Sequence, residues 1–185
     1  MNDDIDCIAD DITKKYKKFN YLSLDVLLNI MDDYHIGYDT FHFRENNFSG
    51  MLCLVNNKYH IVTNLKHRPK RKMFTIAHEL SHYFLHLHIM KEFICTDILK
   101  ENNRIIETEA NKLAAVMLMP ADIYIEKYKF FRGDFKRIAN NFYLSEECVR
   151  WRYVNLFSDI LNKPKQELIN EYIIPYKKGL NYGEV

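Results

Sequence analysis

The sequence predicts an α+β fold that is mainly helical and contains one small antiparallel β-sheet. Apolar residues recur at helical spacing near the N-terminus and again over most of the chain after residue 72. Between these stretches lie three short segments rich in aromatic and β-branched residues, at 38–44, 50–55 and 58–65. Helices and strands are therefore segregated along the chain, which argues against a wound parallel sheet.

Composition narrows the class of protein. The 185 residues include 48% apolar and 28% charged residues, which is enough to bury a core. The 26 basic and 25 acidic residues leave a net charge of +1, a small excess for a nucleic-acid-binding protein. No run of about 18 apolar residues occurs, so no transmembrane helix and no membrane association are expected.

The N-terminus and the cysteines favour a cytoplasmic protein. Residues 1–4 are acidic, whereas a signal peptide begins basic and then becomes apolar. The four cysteines are far apart and form no C-x-x-C pair, so we expect reduced thiols. They are Cys7, Cys53, Cys95 and Cys148.

The two helices before the strands are predicted from their apolar faces. Residues 4–19 and residues 24–34 both carry apolar side chains three and four positions apart. Ser23 can cap the second helix, and Gly37 marks its end.

The remaining elements follow from turn residues and periodicity. Asn56 and Asn57 tolerate the positive φ of a tight hairpin and join the last two strands. A basic loop at 66–72 comes next, and Pro120 stops a later helix. Helical patterns are predicted at 72–90, 104–119, 121–130, 134–142 and 145–162.

One of these helices carries a metal-binding motif. His78-Glu79-Leu80-Ser81-His82 matches H-E-x-x-H, whose two histidines project from one helical face and can bind one zinc ion. Glu79 would lie beside the metal, where it can accept a proton from a water molecule. The alternative is a chance match on a core helix, in which case the His and Glu side chains need other buried partners.

The third ligand has two histidine candidates on the same helix. His88 has the metzincin spacing, but Leu85 stands where that motif needs the Gly that turns the backbone. His86 lies about 12 Å along the helix axis from His78, which is too far for one ion shared with His82. We therefore expect both on the helix surface or in contact with the ligands.

The acidic candidates lie on the helix at 104–119. Glu107 and Asn111 are four residues apart and share a face, so Glu107 can bind the metal while Asn111 holds a ligand histidine in the correct tautomer. Glu109 lies about 200° round the helix from Glu107. We expect Glu107 to be the ligand and Glu109 to be a solvated surface acid, with Glu109 as the alternative ligand.

Two segments, Arg71–His86 and Glu107–Pro120, resemble the ImmA/IrrE family of zinc metallo-endopeptidases. The resemblance covers residues 20–125, and Ser81 stands where the family often has Gly. It implies a cytoplasmic zinc enzyme of a bacterium, phage or mobile element. Such enzymes commonly cleave a helix-turn-helix transcriptional repressor and so derepress genes, including stress-response genes.

The region after the motifs is typical of a helix-turn-helix unit. Its second helix begins with Glu146 and Glu147, which would repel DNA phosphates. We therefore expect packing or protein recognition, not direct DNA binding. The predicted domains are a zincin-like metallopeptidase domain at 1–125, a helix-turn-helix-like segment at 126–163 and a short helix with a loose tail at 164–185.

Two questions stay open at the level of sequence. Tyr59, His60 and Tyr83 are candidates for substrate binding or for stabilising the oxyanion, and the strand at 58–65 could bind a substrate strand if it is a sheet edge. A non-catalytic metal-binding regulator or protein-interaction module on the same fold is the alternative function. A cleavage assay separates the two functions, whereas metal content does not.

Overall fold

A computed structural model describes residues 2–16, 23–44, 48–93 and 99–181. The chain divides into two compact units, Met1–Pro120 and Ala121–Val185. Helices predominate and one small sheet is present, so the predicted α+β class is confirmed. Cys95 and the predicted helical residues 17–19 lie outside the described residues. The described cysteines Cys7, Cys53 and Cys148 are free thiols.

The first unit contains four helices and three strands among its described residues. In chain order they are α1 Asn2–Lys15, α2 Leu24–Asp33, β1 Gly37–Phe41, β2 Gly50–Val55, β3 Lys58–Asn64, α3 Pro69–Phe93 and α4 Leu99–Leu118.

Two boundaries differ from the prediction for local reasons. Helix α3 begins at Pro69, so residues 69–72 of the predicted basic loop form its first turn, where proline's missing N–H costs nothing. Helix α2 ends before Gly37, because His35 adopts a left-handed φ of 56° and the Ile36 N–H donates to the Met31 carbonyl at 2.8 Å.

The sheet is mixed, with the strand order β1-β3-β2. Strands β2 and β3 form the predicted antiparallel hairpin, and Asn56 and Asn57 have the expected positive φ values of 50° and 61°. Strand β1 pairs parallel to β3, so the prediction of a purely antiparallel sheet was wrong. Because β3 is central, it is not the edge that could bind a substrate strand.

Helix α3 packs against β2 and β3 and also against α4. Both helices carry small, fully buried residues, Ala77 and Ser81 on α3 and Ala110 and Ala114 on α4. Small side chains let two helices approach closely, which places polar groups on one helix within reach of those on the other.

The second unit is entirely helical in its described part. Its elements are α5 Ala121–Phe130, α6 Phe135–Asn141, α7 Glu146–Ile160, α8 Lys165–Leu168, a π-helical segment Ile169–Ile173 and α9 Ile174–Asn181. Its fully buried side chains include Tyr124, Ile138, Phe142, Val149 and Val154. Five further rings contact one another in an aromatic cluster of which Phe135 and Tyr153 are buried: Tyr128, Phe135, Tyr153, Phe157 and Tyr172.

Helices α6 and α7 have capped N-termini. Asp134 accepts the Arg137 N–H, and the Ser145 hydroxyl accepts the Cys148 N–H. The turn between the helices includes Tyr143 with a φ of 56°. The region at 165–181, predicted as a short helix and loose tail, is helical throughout.

The π-helical segment has a local cause. Pro175 has no N–H to donate to the carbonyl four residues earlier, and its ring crowds that carbonyl. The wider π-helical turn at 169–173 ends two residues before this proline. None of the described helices combines the length and the apolar character that crossing a membrane requires.

Candidate metal centre

Three predicted ligand side chains converge between α3 and α4. His78 and His82 lie one turn apart on α3, and their Nε2 atoms are 3.0 Å apart. The Glu107 carboxylate on α4 faces both, with Oε2 at 3.2 Å from His78 Nε2 and Oε1 at 3.3 Å from His82 Nε2. Among the described residues, these three form the one cluster of His, Cys, Asp or Glu whose ligand atoms could hold a metal ion.

The spacing of these atoms suits a metal ion with tetrahedral coordination. Neighbouring ligands of zinc with bonds of about 2.0–2.1 Å lie about 3.3 Å apart. The observed separations of 3.0, 3.2 and 3.3 Å match that geometry. The donor set of two imidazoles and one carboxylate is also typical of zinc sites.

Asn111 fixes the tautomer of His78. Its Oδ1 lies 3.1 Å from His78 Nδ1, and an amide oxygen can only accept a hydrogen bond. The His78 proton therefore lies on Nδ1, and its Nε2 lone pair faces the Glu107 carboxylate. Two electron-pair donors turned toward each other require a proton or a cation between them, so this arrangement favours a bound cation.

The pKa values of the cluster also indicate that the site favours a positive charge. The imidazoles of His78 and His82, within hydrogen-bonding distance of the Glu107 carboxyl, hold its pKa far below its usual range. Burial is the largest single influence on His78 and lowers its pKa, but the hydrogen bond to Glu107 and the charges of Glu79 and Glu107 together outweigh it, so the pKa is raised. Either a proton on the His78 imidazole or a bound metal ion would neutralise the negative charge of the Glu107 carboxylate.

Glu79 lies beside this cluster on the sheet-facing side of α3. Its side chain is buried, and the Leu52 backbone N–H of β2 donates to its carboxylate. Burial raises the pKa of Glu79, while the neighbouring imidazoles of His78 and His82 oppose that rise. The residue is therefore held rigidly next to the ligands without being among the three converging groups.

His86 and Glu109 form a second pair behind the ligands. His86 is buried at 2% exposure, and its Nε2 lies 3.1 Å from Glu109 Oε2. The expectation that Glu109 is a solvated surface acid was wrong, because its side chain is 20% exposed and bound to His86. The signal available in the sequence was His86 itself, four residues after His82 and on the same helical face.

The three candidate substrate-binding residues divide between the two faces of the sheet. Tyr59 packs edge-on against Tyr83 with ring centroids 5.5 Å apart, and Tyr83 also contacts Tyr34. His60 instead pairs with Asp39 at 3.0 Å. Because neighbouring residues on a strand point to opposite faces, Tyr59 and His60 do not share a surface.

The sequence profile of the peptidase M78 family, described as the IrrE N-terminal-like domain, matches residues 19–153. The chain belongs to this family. The predicted resemblance is therefore confirmed, and the chain contains a metallopeptidase-like domain. The match extends well beyond residue 125 and reaches into α7.

A solved structure supports the fold independently. A Mycobacterium tuberculosis transcriptional regulator superposes with a TM-score of 0.62 at 17% sequence identity. The match covers 82% of this chain and 46% of that regulator, so this chain spans less than half of its length. No curated protein matches the sequence.

Proposed function

We propose that the protein is a zinc-dependent endopeptidase in which His78, His82 and Glu107 bind the ion and Glu79 is the general base. The observation that carries this proposal is the convergence of three donors at tetrahedral spacing beside a buried, hydrogen-bonded glutamate. Membership of a peptidase family supports the same chemistry.

The protein's own groups account for proton movement and orientation. Zinc in this site would supply Lewis acidity, which lowers the pKa of water toward about 7 and polarises a peptide carbonyl. Glu79 takes a proton from the attacking water as its oxygen bonds to the carbonyl carbon. Glu79 then passes that proton to the leaving amine as the C–N bond breaks. The Leu52 N–H keeps the carboxylate aimed during both transfers.

The proposed substrate is one specific protein, a helix-turn-helix transcriptional repressor, cleaved in the cytoplasm. The family resemblance supplies this substrate class. Cleavage would derepress genes of a mobile element or a stress response. The structurally similar Mycobacterium tuberculosis protein is a transcriptional regulator, which is in keeping with a role in gene control.

The second unit is proposed to recognise protein rather than DNA. The first turn of α7 carries Glu146 and Glu147, which would repel phosphate. Arg150, one turn later, already donates to Glu146 at 2.8 Å and to the Tyr172 carbonyl at 3.0 Å. This arginine is thus engaged within the unit, which leaves the start of α7 poorly suited to reading bases.

The first experiment replaces the base and leaves the ligands intact. Glu79→Gln should retain one zinc per chain and the wild-type unfolding transition, because Glu79 is not a proposed ligand. Hydrolysis should fall at least about 100-fold, since an amide cannot accept the proton. The assay follows cleavage of the helix-turn-helix repressor encoded beside the gene, by mass spectrometry, with zinc content measured on the same samples.

Asp10→Asn, at a side chain that is 72% exposed on α1, is the control and should cleave like wild type. Unchanged turnover in Glu79→Gln would remove Glu79 from the mechanism. If zinc-loaded wild-type protein cleaves neither the repressor nor unfolded casein, the non-catalytic regulator is the better description. Efficient casein digestion without any preference for the repressor would contradict the proposed selectivity.

A further inference from the structure

A continuous chain of hydrogen-bonded groups runs from His82 away from the proposed metal. His82 Nδ1 lies 3.1 Å from His86 Nδ1, and His86 Nε2 lies 3.1 Å from Glu109 Oε2. His82 and His86 are 7% and 2% exposed. Their interaction is therefore shielded from water, and only its outer end, at Glu109, approaches the surface.

The donor and acceptor chemistry of these groups determines which nitrogen of each imidazole carries the proton. A carboxylate only accepts, so the His86 proton lies on Nε2 and is donated to Glu109. In a neutral His86 ring, Nδ1 is then an acceptor, and His82 donates to it from its own Nδ1. That leaves the His82 Nε2 lone pair free and facing Glu107, which is the tautomer that a metal ligand needs.

We propose that His86 and Glu109 are positioning residues that hold His82 as an Nε2 metal ligand. The inference rests on the proposed zinc site of His78, His82 and Glu107. Neither residue touches the reacting atoms, because both act through the imidazole of His82.

Helix α4 can serve both ligand histidines because of its own periodicity. Its fully buried residues include Ala110, Leu113 and Ala114, and Glu107 and Glu109 lie about 200° apart, on opposite flanks of that stripe. The Glu107 flank supplies the proposed ligand, together with Asn111 for His78. The Glu109 flank reaches the other side of the seam, where His86 bridges the remaining distance to His82.

The two ligand histidines are therefore supported differently. His78 donates directly to a neutral amide, whereas His82 donates through a second imidazole to a carboxylate. A carboxylate at the end of such a chain makes the ligand imidazole a stronger donor to the metal than an amide does. Loss of the Glu109 charge should therefore weaken metal binding even though the three ligands remain.

The experiment measures zinc affinity by competition with a chromophoric chelator, using the full-length chain. His86→Leu and Glu109→Leu should each lower the affinity about 10- to 100-fold, the usual effect of losing such a partner. Glu109→Gln keeps an oxygen that can accept from His86, so it should lose less than Glu109→Leu. Glu167→Gln, at a side chain that is 53% exposed in the second unit, is the control and should bind like wild type.

Nitrogen-15 NMR of the histidine rings supplies a readout independent of activity. In the zinc-loaded wild type, His86 should be neutral with its proton on Nε2, and His82 should carry its proton on Nδ1. In Glu109→Leu the His86 signal should shift toward a mixture of tautomers. Thermal unfolding of the metal-free variants controls for folding. Because Glu109 lies at the edge of the seam, its variants test the inference even if His86→Leu does not fold.

The outcomes separate this inference from the proposed function. If wild-type protein binds no zinc, or if Glu107→Ala leaves its zinc affinity unchanged, the proposed metal site itself is wrong. If wild type binds zinc but both Glu109 variants bind it equally well, the positioning role is wrong while the metal site stands. A doubly protonated His86 in the zinc-loaded protein would also overturn it, because His86 could then not accept from His82.

Discussion

The interiors of the two units are built from different chemistry. Among the described residues, the first unit buries seven polar side chains: Thr63, Asn64, Thr75, Glu79, Ser81, His82 and His86. The second unit buries two, Arg152 and Ser158, around its aromatic cluster. Buried polar groups need hydrogen-bond partners, whereas the rings of the aromatic cluster pack by area and ring geometry and only their tyrosine hydroxyls need such partners.

The difference indicates a division of roles. Five of the seven buried polar side chains of the first unit lie on α3, and one of them, His82, is a proposed metal ligand. Such an interior orients groups for chemistry at a cost in stability, because each donor must be matched. The second unit has no comparable cluster of buried polar groups among its described residues.

Truncation of the aromatic cluster should give the largest loss of stability. Tyr153 is 4% exposed, and its ring lies 4.5 Å from that of Phe157 and 4.7 Å from that of Tyr172. Tyr153→Ala should lower the free energy of unfolding by about 3–5 kcal/mol, as for other large aromatic truncations. Urea unfolding followed by circular dichroism measures this loss.

Phe130→Ala is the control in the same unit, because this ring is 73% exposed. It should change the free energy of unfolding by less than about 0.5 kcal/mol. Equal losses for the two variants would contradict the assignment of Tyr153 to the core of the second unit.

Overpacking the α3–α4 seam should have an intermediate effect on stability and a specific effect on the site. Ala110 is fully buried between Glu107 and Asn111 in the chain, so Ala110→Leu forces α4 away from α3. We expect a loss of about 1–3 kcal/mol in the free energy of unfolding. Zinc affinity should fall as well, because the separation of Glu107 from the two histidines increases.

Ile105→Leu, at a side chain that is 55% exposed on the same helix, should change neither quantity. Isothermal titration with zinc and urea unfolding give both numbers for each variant. Unaltered zinc affinity in a destabilised Ala110→Leu would show that the seam does not set the ligand spacing.

The smallest effect concerns two helix caps, one in each unit. The Ser145 hydroxyl accepts the Cys148 N–H at 3.2 Å, whereas Ser23 makes no side-chain capping bond to α2. Ser145→Ala should therefore cost about 1 kcal/mol of unfolding free energy, and Ser23→Ala only a few tenths. Chemical unfolding of the two variants side by side tests this, and a larger loss for Ser23→Ala would reverse the expectation.

Local rules explain why much of the fold could be predicted. The hairpin at Asn56 and Asn57 depends on the φ values that asparagine tolerates, and both adopt them. The start of α3 was predicted three residues late because the basic run was given more weight than the preference of proline for a first helical turn. The tail at 165–181 was underestimated because its helix is stabilised by packing on α7, for example through Tyr172 against Tyr153.

The candidate site likewise has one part that could be predicted from the sequence and one part that could not. The spacing of His78, Glu79 and His82 on one helix, and of Glu107 and Asn111 on another, follows from 3.6 residues per turn and could be read directly from the sequence. The approach of Glu109 to His86 could not, because it depends on how closely two helices pack across a seam of small residues.

By itself, the sequence determined which residues share a helical face, where the hairpin turns and which family the chain belongs to, because these depend on short periodic patterns and local backbone preferences. Only the tertiary structure decided that β1 runs parallel to β3, that β3 is central and that Glu109 turns inward. Each of these features joins residues distant in sequence. Their pairing is set by the burial and hydrogen bonding of the whole interior, and no local rule contains that information.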